Sequence, residues 1–376
     1  MKQLLILLFC ISLYGCNAQN IFFTVDTNKE YDKIVLNFDN YIKDCKIIQL
    51  ETNDSCLLST PKDIVKGDDF YIITSLRNAY KFSSDGLFLG KILREGRGPG
   101  EIDRIADCAV NDKEKILICA QMDNSSQLNI YNYEGVLLKN IPNAKGLALQ
   151  EIAVTGDSAI VCFPLISTGN RTRSLLFCQD FKGNLIYDIP HTFHIDNGPV
   201  LRNKKGTFVS GPDIFYFTNN SDTLYRVSNG IKYPQLDVKS KEAEKDEMVF
   251  NDVLFLNPET LILRHKLCRL QNIGGGNISM VPVEKEYFLI DLRENTVRKI
   301  TGCTSGKMGL ACTEQSQPYF LDNLVSLKNG NIANVLNYSD LGYLFQNKCI
   351  SDQKLTDIYK TMTDNSNPVL YITSLK

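Results

Sequence analysis

Short β-rich runs that are paired across polar turns recur along most of the chain. Five segments share this pattern, and each ends in a large aliphatic residue: 80–92, 129–141, 177–189, 225–236 and 288–300. The turn glycines Gly86, Gly135, Gly183 and Gly230 lie 49, 48 and 47 residues apart. Glycine accepts the positive φ that tight hairpin turns require, so each segment is predicted to be a β-hairpin. In the fifth copy Asn295 takes the glycine position.

Two further short apolar runs precede each hairpin, for example 64–65 and 70–73 before the first. Four short strands per unit of about 40–50 residues are typical of a β-propeller blade. A last unit begins at residue 324 and turns at Asn329-Gly330, which brings the count to six. We therefore predict an all-β fold, a single six-bladed β-propeller with four-stranded antiparallel blades. Only one helix is predicted, over residues 353–362 after Ser351 or Asp352 as the cap.

The two ends of the chain are predicted to close the ring. Residues 45–50 form a strand-like run before the first complete blade, and residues 367–376 form another at the end. Since an open sheet would expose its edge strands, we expect these two strands to pair in the last blade. The spacing before the fifth hairpin is longer, and the excess is assigned to an irregular stretch over 265–283. The predicted domains are a signal peptide over 1–15, a lipidated tether and lead-in over 16–40, and the propeller over 41–376.

The N-terminus predicts export. Lys2 precedes an apolar run over residues 4–14, which is too short to span a bilayer and fits a secretory signal. The run ends in Leu13-Tyr14-Gly15-Cys16, which resembles a bacterial lipobox. We expect cleavage before Cys16, lipidation of that cysteine, and a place in the cell envelope, at the outer membrane facing the periplasm. The alternative is ordinary cleavage after Ala18.

Composition and charge exclude several classes of protein. The 376 residues are 43% hydrophobic and 22% charged, which excludes a disordered or collagen-like chain. Forty-one Lys and Arg against 43 Asp and Glu leave a net charge of −2, so nucleic acid is not expected as a partner. The expected partners are the membrane, through the lipid, and a glycan, peptide or protein ligand.

Twelve cysteines raise the question of disulfides. In an envelope compartment, the spacings of Cys108/Cys119 and Cys162/Cys178 suit cross-strand pairs, because each pair flanks a polar turn symmetrically. Buried thiols that pack as small hydrophobic groups are the alternative. No C-x-x-C motif occurs, so neither a zinc knuckle nor a thioredoxin-type centre is supported.

Several stretches together resemble the six-bladed β-propeller lipoproteins that are common in gut Gram-negative bacteria. They are the segments 47–56, 82–101, 222–230 and 367–376, and the most specific is Gly96-Arg97-Gly98-Pro99-Gly100-Glu101 after an Asp-Gly hairpin. The resemblance extends over residues 31–376. It implies the propeller fold and an envelope location, and it implies little about activity.

The loop over residues 96–101 has a structural and a functional interpretation. It joins the outer strand of one blade to the inner strand of the next, so glycine and proline are expected for the backbone alone. Such loops end near the central channel, where propellers bind ligands. The functional hypothesis therefore makes Arg94, Arg97, Glu101 and Arg104 ligand-binding residues, and Arg94 and Arg97 would hold a carboxylate or sulfate.

Metal and catalytic chemistry have little support in the sequence. His191 and His194 are three positions apart after a predicted strand, which puts them on opposite faces. With His265 they are the only histidines, so no catalytic residue, metal ligand or cofactor is assigned, and an axial calcium site stays open. We expect a non-catalytic binding or scaffold propeller. The alternative hypothesis is a metal-dependent propeller lyase or hydrolase with an axial site.

Overall fold

The computed structural model describes residues 23–376, except for 59–60, 62, 97, 99, 123–125, 157, 167–172, 192–205, 219–221, 245, 275–276, 315–316 and 328–329. Three strands come first: β1 (Phe23–Asp26), β2 (Lys33–Asn37) and, after a 3-10 turn at Phe38–Asn40, β3 (Ile42–Gln49). Six sheets then follow one another along the chain and form the blades of a six-bladed β-propeller, which confirms the predicted fold class.

The first three blades are regular four-stranded antiparallel sheets. The strands of each blade are named in order from the innermost to the outermost. Blade 1 contains β4 (Asp63–Lys66), β5 (Phe70–Thr74), β6 (Ala79–Ser83) and β7 (Phe88–Leu93). Blade 2 contains β8 (Ile105–Asn111), β9 (Ile116–Gln121), β10 (Gln127–Asn132) and β11 (Leu137–Pro142). Blade 3 contains β12 (Leu149–Thr155), β13 (Ala159–Pro164), β14 (Ser174–Asp180) and β15 (Leu185–Pro190).

The last three blades carry additional elements. Blade 4 contains β16 (Thr207–Ser210), β17 (Asp213–Thr218), β18 (Thr223–Ser228) and β19 (Ile231–Lys239). Blade 5 contains β20 (Glu247–Phe255), β21 (Thr260–Gly274), β22 (Asn277–Asp291) and β23 (Thr296–Ser305), with β24 (Leu310–Cys312) against β23. After α1 (Gln317–Leu321), blade 6 contains β25 (Leu324–Ser326), β26 (Asn331–Leu336), α2 (Tyr338–Gln346), α3 (Gln353–Thr361) and β27 (Val369–Leu375).

The hydrophobic core is divided among the six boundaries between neighbouring blades. Each of six clusters of buried side chains draws its members from two adjacent blades; Phe82 and Leu370, for example, belong to the cluster between blades 1 and 6. Each blade therefore buries both of its faces, which explains why the strands read as nearly continuous apolar runs.

The predicted hairpin turns are confirmed, and their glycines have a second role. Gly86 and Gly135 have φ of +92° and +82°. A Cβ atom on Gly135 would lie 2.3 Å from the Ile92 carbonyl oxygen, and one on Gly86 would lie 2.2 Å from that of Gln49. Both carbonyls belong to the outer strand of the preceding blade, so the repeated glycine also allows neighbouring blades to approach closely. Asn295 has φ of +51°, as expected for its glycine position.

Ring closure follows the prediction. Strand β3 pairs antiparallel with β27 from Gln49 opposite Val369 to Ile42 opposite Leu375, and it forms the outer strand of blade 6. The buried Asn367 side chain donates hydrogen bonds to the carbonyl oxygens of Glu51 and Cys56, at 2.6 and 2.9 Å. The C-terminal blade and the loop that leads into blade 1 are thereby joined.

The lead-in before residue 40 contains two strands that the sequence analysis missed. Strand β1 adds in parallel to β19, and β2 adds in parallel to β23, so blades 4 and 5 each gain a further outer strand. Val25 and Leu36 are buried there against Val238 and Ile300 respectively. These strands are short and lack a hairpin turn, so no local pattern marked them.

Two other expectations about local structure needed correction. The stretch over 265–283 is not irregular: most of it belongs to the two 15-residue strands β21 and β22, which pair from Thr260 opposite Asp291 to Gly274 opposite Asn277. The predicted helix is present as α3, with Asp352 as its N-cap. Helix α2 was missed, although Asn337 and Asp340 form a capping box at its start.

Candidate functional site

The longest hairpin and the three α-helices of the described part of the chain lie on one face of the ring. In an antiparallel blade, the outer strand ends on the face where the next inner strand begins, and the connection between the second and third strands opens on the same face. We call this the crossover face. In blade 1 it is marked by the backbone hydrogen bond from Ile105 to the Leu76 carbonyl, at 2.8 Å.

The longest element that starts from the crossover face is the β21–β22 hairpin of blade 5. Strand β20 pairs with β21 only as far as Glu247 opposite Arg269, so residues 270–274 of β21 and 277–280 of β22 continue beyond the sheet. Val281 and Val283, at the base of this projection, are 38% and 48% exposed. Arg269 forms a partly exposed ion pair with Glu247, N to O 3.4 Å. The projection therefore presents both apolar and charged groups to solvent.

The three α-helices in the described part of the chain lie in connections that begin and end on the same face. Helix α1 precedes the inner strand of blade 6, and α2 and α3 connect its second and third strands. Aromatic rings stack across them: Tyr319 on Tyr343 with ring centroids 3.6 Å apart, and Tyr338 on Tyr359 with centroids 5.1 Å apart. Tyr319 is 41% exposed. Blade 6 thus adds a surface of partly exposed aromatic rings beside the hairpin of blade 5.

A buried charged network lies between blades 5 and 6, below the projecting hairpin. Arg264 is ion-paired with Asp252 and donates from Nη1 to the carbonyl oxygens of Leu321 and Leu324, at 3.0 and 2.7 Å. The side chains of Arg264 and Asp252 are almost fully buried. The Asp252 Oδ2 atom has no hydrogen-bond partner. The arginine therefore fixes the start of blade 6 to the inner strand of blade 5.

Two lysines and a tyrosine surround Asp322 in the same network. Lys266 Nζ and Lys285 Nζ each lie 2.7 Å from a carboxylate oxygen of Asp322, and Tyr287 donates to it at 3.0 Å. Burial alone would raise the pKa of Asp322, but the two ammonium groups hold it below its usual value. Burial and the carboxylate together raise the pKa of Tyr287. The carboxylate of Asp322 is thus shared by two ammonium groups and a hydroxyl, and it joins β21 and β22 to the start of blade 6 at the base of the hairpin.

A second network lies between blades 4 and 5 and contains His265. Asn251 Oδ1 is 2.7 Å from His265 Nδ1, and Asn251 Nδ2 donates to Asp222 Oδ1 at 3.1 Å and to Ser240 Oγ at 2.9 Å. Burial lowers the pKa of His265. The carboxylate of Glu286, on the neighbouring strand, raises it by a smaller amount. Burial raises the pKa of Asp222 to about 6. The network is polar, and burial disfavours the charged form of the imidazole that it holds.

The loop over residues 96–101 is closed by its own groups. Glu101 Oε2 accepts a hydrogen bond from the Gly98 amide at 2.8 Å, and the Glu101 amide donates to the Gly98 carbonyl at 3.0 Å. A Cβ atom on Gly96 would lie 1.9 Å from Glu101 Oε2, so a larger residue there would displace this carboxylate from its position. The Ile102 amide also donates to the Arg94 carbonyl at 3.0 Å. Glu101 therefore stabilises the loop itself.

The predicted site residues are only partly brought together. Arg94 and Glu101 line a groove of about 500 Å³ between β7 and the β10–β11 turn, with Lys91, Glu134 and Leu137. This groove lies between the outer parts of blades 1 and 2. Arg104 lies at the start of the inner strand β8, where its carbonyl accepts from the Met122 amide at 2.9 Å. Arg97 and Cys16 lie outside the described residues.

Metal and membrane features were also considered. His191 is half-buried, and His194 lies outside the described residues. Within the ranges that the structure describes, no group of three or more His, Cys, Asp or Glu residues is placed to hold a metal ion. In the same ranges, no helix has the length and apolar character needed to cross a bilayer.

The two predicted cysteine pairs differ in register. Cys108 and Cys119 lie directly opposite each other on β8 and β9, and their sulfur atoms are 3.4 Å apart. Cys162 lies opposite Phe177 rather than Cys178, so the two cysteines of blade 3 point to opposite faces. Cys162 packs toward blade 2 and Cys178 toward blade 4. Only the first pair has the predicted cross-strand arrangement.

Sequence reasoning missed both networks of blade 5. Arg264-His265-Lys266 directly follows the apolar run Leu261-Ile262-Leu263 within one strand. Three consecutive charged or titratable residues in a strand that is buried on both faces require partners on both sides, and this was the available signal. Assigning residues 265–283 to an irregular stretch concealed it.

Comparison with known proteins gives a family and a fold. Residues 22–374 match the model of a family described as "Domain of unknown function (DUF4934)". A "Putative exported protein" from Bacteroides fragilis has a similar structure, with a TM-score of 0.66 at 15% identity over 94% of this chain and 99% of that one. A DUF4221 family member from Bacteroides vulgatus gives a TM-score of 0.46 at 10% identity, over 89% and 97% of the two chains.

No curated protein matches the sequence. At 15% identity, the Bacteroides fragilis structure shows a shared fold and does not identify a ligand.

Proposed function

We propose that this chain, which belongs to the DUF4934 family, is an exported, lipid-anchored and non-catalytic binding propeller. It contacts a glycan, a peptide or a partner protein through the crossover face, on the side formed by blades 5 and 6. The ring is the scaffold, and the projecting hairpin and the helices form the recognition surface.

The position of the added elements carries this proposal. The β21–β22 hairpin and helices α1, α2 and α3 all arise from connections of the crossover face, whereas blades 1 to 3 keep the plain four-stranded repeat. In repeat architectures, insertions that map to one face commonly mark the binding face. The elements also cluster on two adjacent blades, which gives one continuous region rather than scattered loops.

The chemistry of this region suits recognition. Val281, Val283 and Tyr319 expose apolar and aromatic surface, and Arg269 supplies an exposed charge. The charged groups below the surface are engaged with each other: Asp322 with two lysines, and Asp252 with Arg264. They therefore support a rigid platform, on which the exposed groups make the contacts.

Export and anchoring are proposed from the N-terminus. Cys16 lies seven residues before Phe23, where β1 begins along the outer strand of blade 4. A lipid on Cys16 would thus hold the propeller close to a membrane by its perimeter and leave the crossover face accessible. The name of the similar Bacteroides fragilis protein agrees with export. We place the protein at the outer membrane, facing the periplasm.

A thermal-shift screen of the purified protein against glycans, peptides and metal salts tests the non-catalytic proposal. A ligand that binds only the folded state raises the melting temperature in proportion to the logarithm of its concentration above Kd. We expect stabilisation by members of one ligand class, in protein that metal analysis shows to be metal-free. Stabilisation by a divalent metal, together with cleavage of a screened glycan or ester, would favour the propeller lyase or hydrolase instead.

A further inference from the structure

We propose that Cys108 and Cys119 form a disulfide that joins β8 to β9 when the chain folds in the envelope. This inference rests on export, because an oxidising compartment is needed for a structural disulfide to form and persist. It goes beyond the binding role, since it assigns a covalent modification to the two inner strands of blade 2.

The register brings the two sulfur atoms together. Cys108 is directly opposite Cys119 in the antiparallel β8–β9 pair, and the Cys108 thiol donates to the Cys119 sulfur at 3.4 Å. Directly opposed residues in such a pair have Cα atoms about 4.5–5.5 Å apart, within the range of about 4.4–6.8 Å that disulfides accept. Both side chains point toward blade 1. A bond of about 2.05 Å therefore requires small side-chain rotations and no change of register.

Blade 3 provides an internal comparison. Cys162 and Cys178 also lie on neighbouring strands, but a register offset of one residue sends them to opposite faces of the sheet. Both are buried, so burial alone does not distinguish the two pairs. Direct opposition separates the two pairs and favours Cys108 and Cys119 over Cys162 and Cys178. The 3.4 Å contact between the Cys108 and Cys119 sulfur atoms is the further observation that supports a bond at this pair.

The reaction is a thiol–disulfide exchange with a protein disulfide or glutathione disulfide as the oxidant. The Cys108 thiolate attacks one sulfur of the oxidant, forms a mixed disulfide and releases one thiol. The Cys119 thiolate then attacks the Cys108 sulfur and releases the second thiol. Two electrons pass to the oxidant, which gains the two protons, and one bond forms within the protein. Both cysteines are fully buried after folding, so the exchange precedes the packing of blade 1 on blade 2.

The position of the bond gives it a structural role. Strand β8 is the innermost strand of blade 2, and the Asp107 carboxylate next to Cys108 accepts a hydrogen bond from the Ile152 amide of blade 3 at 2.8 Å. A disulfide at this point would hold the strand that connects blades 2 and 3 and would restrict the unfolded chain.

Refolding of the full chain tests the proposal without relying on export. The protein is denatured under reducing conditions, refolded in a buffer of reduced and oxidised glutathione, denatured again and alkylated. Mass analysis of the peptides then shows, for each cysteine, whether it is alkylated or linked to another. The cysteines measured include Cys303 and Cys312, which are also directly opposed. We expect the peptides of Cys108 and Cys119 to be linked and to resist alkylation, while Cys162 and Cys178 are both alkylated.

A stability measurement accompanies the mass analysis. We expect reduction to lower the melting temperature of the wild-type protein by several degrees and to leave that of Cys108→Ala/Cys119→Ala almost unchanged. Comparing oxidised with reduced protein within each variant separates the disulfide from any packing defect caused by the substitutions. A folded wild-type protein in which Cys108 and Cys119 are both alkylated would overturn the proposal, even if fractionation of cells shows that the chain is exported.

Discussion

The side chain of Asn367 accepts a hydrogen bond from the backbone amide of Leu58, at 2.8 Å, across 309 residues of sequence. The same side chain donates to the Glu51 and Cys56 carbonyls, so one buried amide satisfies three backbone groups of the loop that enters blade 1. The strand pairing of β3 with β27 closes the ring, and Asn367 fixes the next blade to that closure.

Asn367→Ala should lower the free energy of unfolding by about 3 kcal/mol, because it leaves buried backbone groups without partners. Asn365→Ala is the matched control, since Asn365 is exposed two positions earlier. Urea denaturation of both variants measures the difference. Equal midpoints for the two variants would show that the closure does not depend on this side chain.

Gly135→Ala and Gly146→Ala should differ although both glycines have positive φ, +82° and +61°. Alanine in this conformation costs about 1–2 kcal/mol at either site. At Gly135 the added Cβ also meets the Ile92 carbonyl of blade 1, whereas nothing lies within 4 Å at Gly146. We expect Gly135→Ala to be about 1–3 kcal/mol more destabilising, as measured by denaturant midpoints. Similar losses would argue against the close approach of blades 1 and 2 at this turn.

Asp222→Asn should stabilise the protein above pH 6 and have little effect near pH 4. Burial raises the pKa of Asp222 from 3.8 to about 6, so the folded state favours the protonated carboxyl. Its contribution to stability is present below pH 3.8 and is lost as the pH rises through about 6. Asparagine does not ionise, tolerates the φ of +48° and keeps an acceptor for Asn251.

The expected gain from Asp222→Asn at pH 7.5 is at most about 3 kcal/mol, the equivalent of the shift in pKa. Urea denaturation at pH 4 and pH 7.5 measures this gain in stability. Asp44→Asn is the control, because Asp44 is exposed. A gain of the same size at both pH values would contradict a buried, protonated carboxyl.

Cys16→Ser should move the protein from the membrane fraction to the soluble periplasm, because the thiol that receives the lipid is lost. Cell fractionation without detergent measures the distribution, and Cys45→Ser serves as the matched control. Membrane association that persists in Cys16→Ser would contradict the lipid anchor.

The repeat could be predicted because each blade carries its own local signal. Gly86 and Gly135 occupy tight turns, and in each case the glycine and the residue before it are enough to predict the turn. The apolar runs on either side have the length of a strand. Closure by residues 45–50 followed from the need to cover sheet edges. These signals are short-range or depend on a general rule, so they required no knowledge of partners distant in sequence.

Features that depend on distant partners could not be predicted. Strand β1 is a strand only because it pairs with β19, more than 200 residues away in the sequence, and no hairpin turn joins the two. The role of Glu101 was also hidden, because its carboxylate bonds to the amide of Gly98 in a loop whose sequence suits either a structural or a ligand-binding role. Arg264 and Asp322 are on different blades, and only the packing of those blades shows that they share one network.

Binding by the full chain to glycan and peptide arrays, compared with a variant whose hairpin is shortened, tests the central claim most directly. In that variant residues 270–280 are replaced by Asn-Gly, which retains every pairing between β20 and β21. Lys113→Glu, in the β8–β9 turn on the opposite face, is the control for a change of surface charge. We predict signals for one ligand class that survive in Lys113→Glu and fall at least tenfold in the shortened variant. Signals that persist in the shortened variant and disappear in Lys113→Glu would contradict recognition through the crossover face.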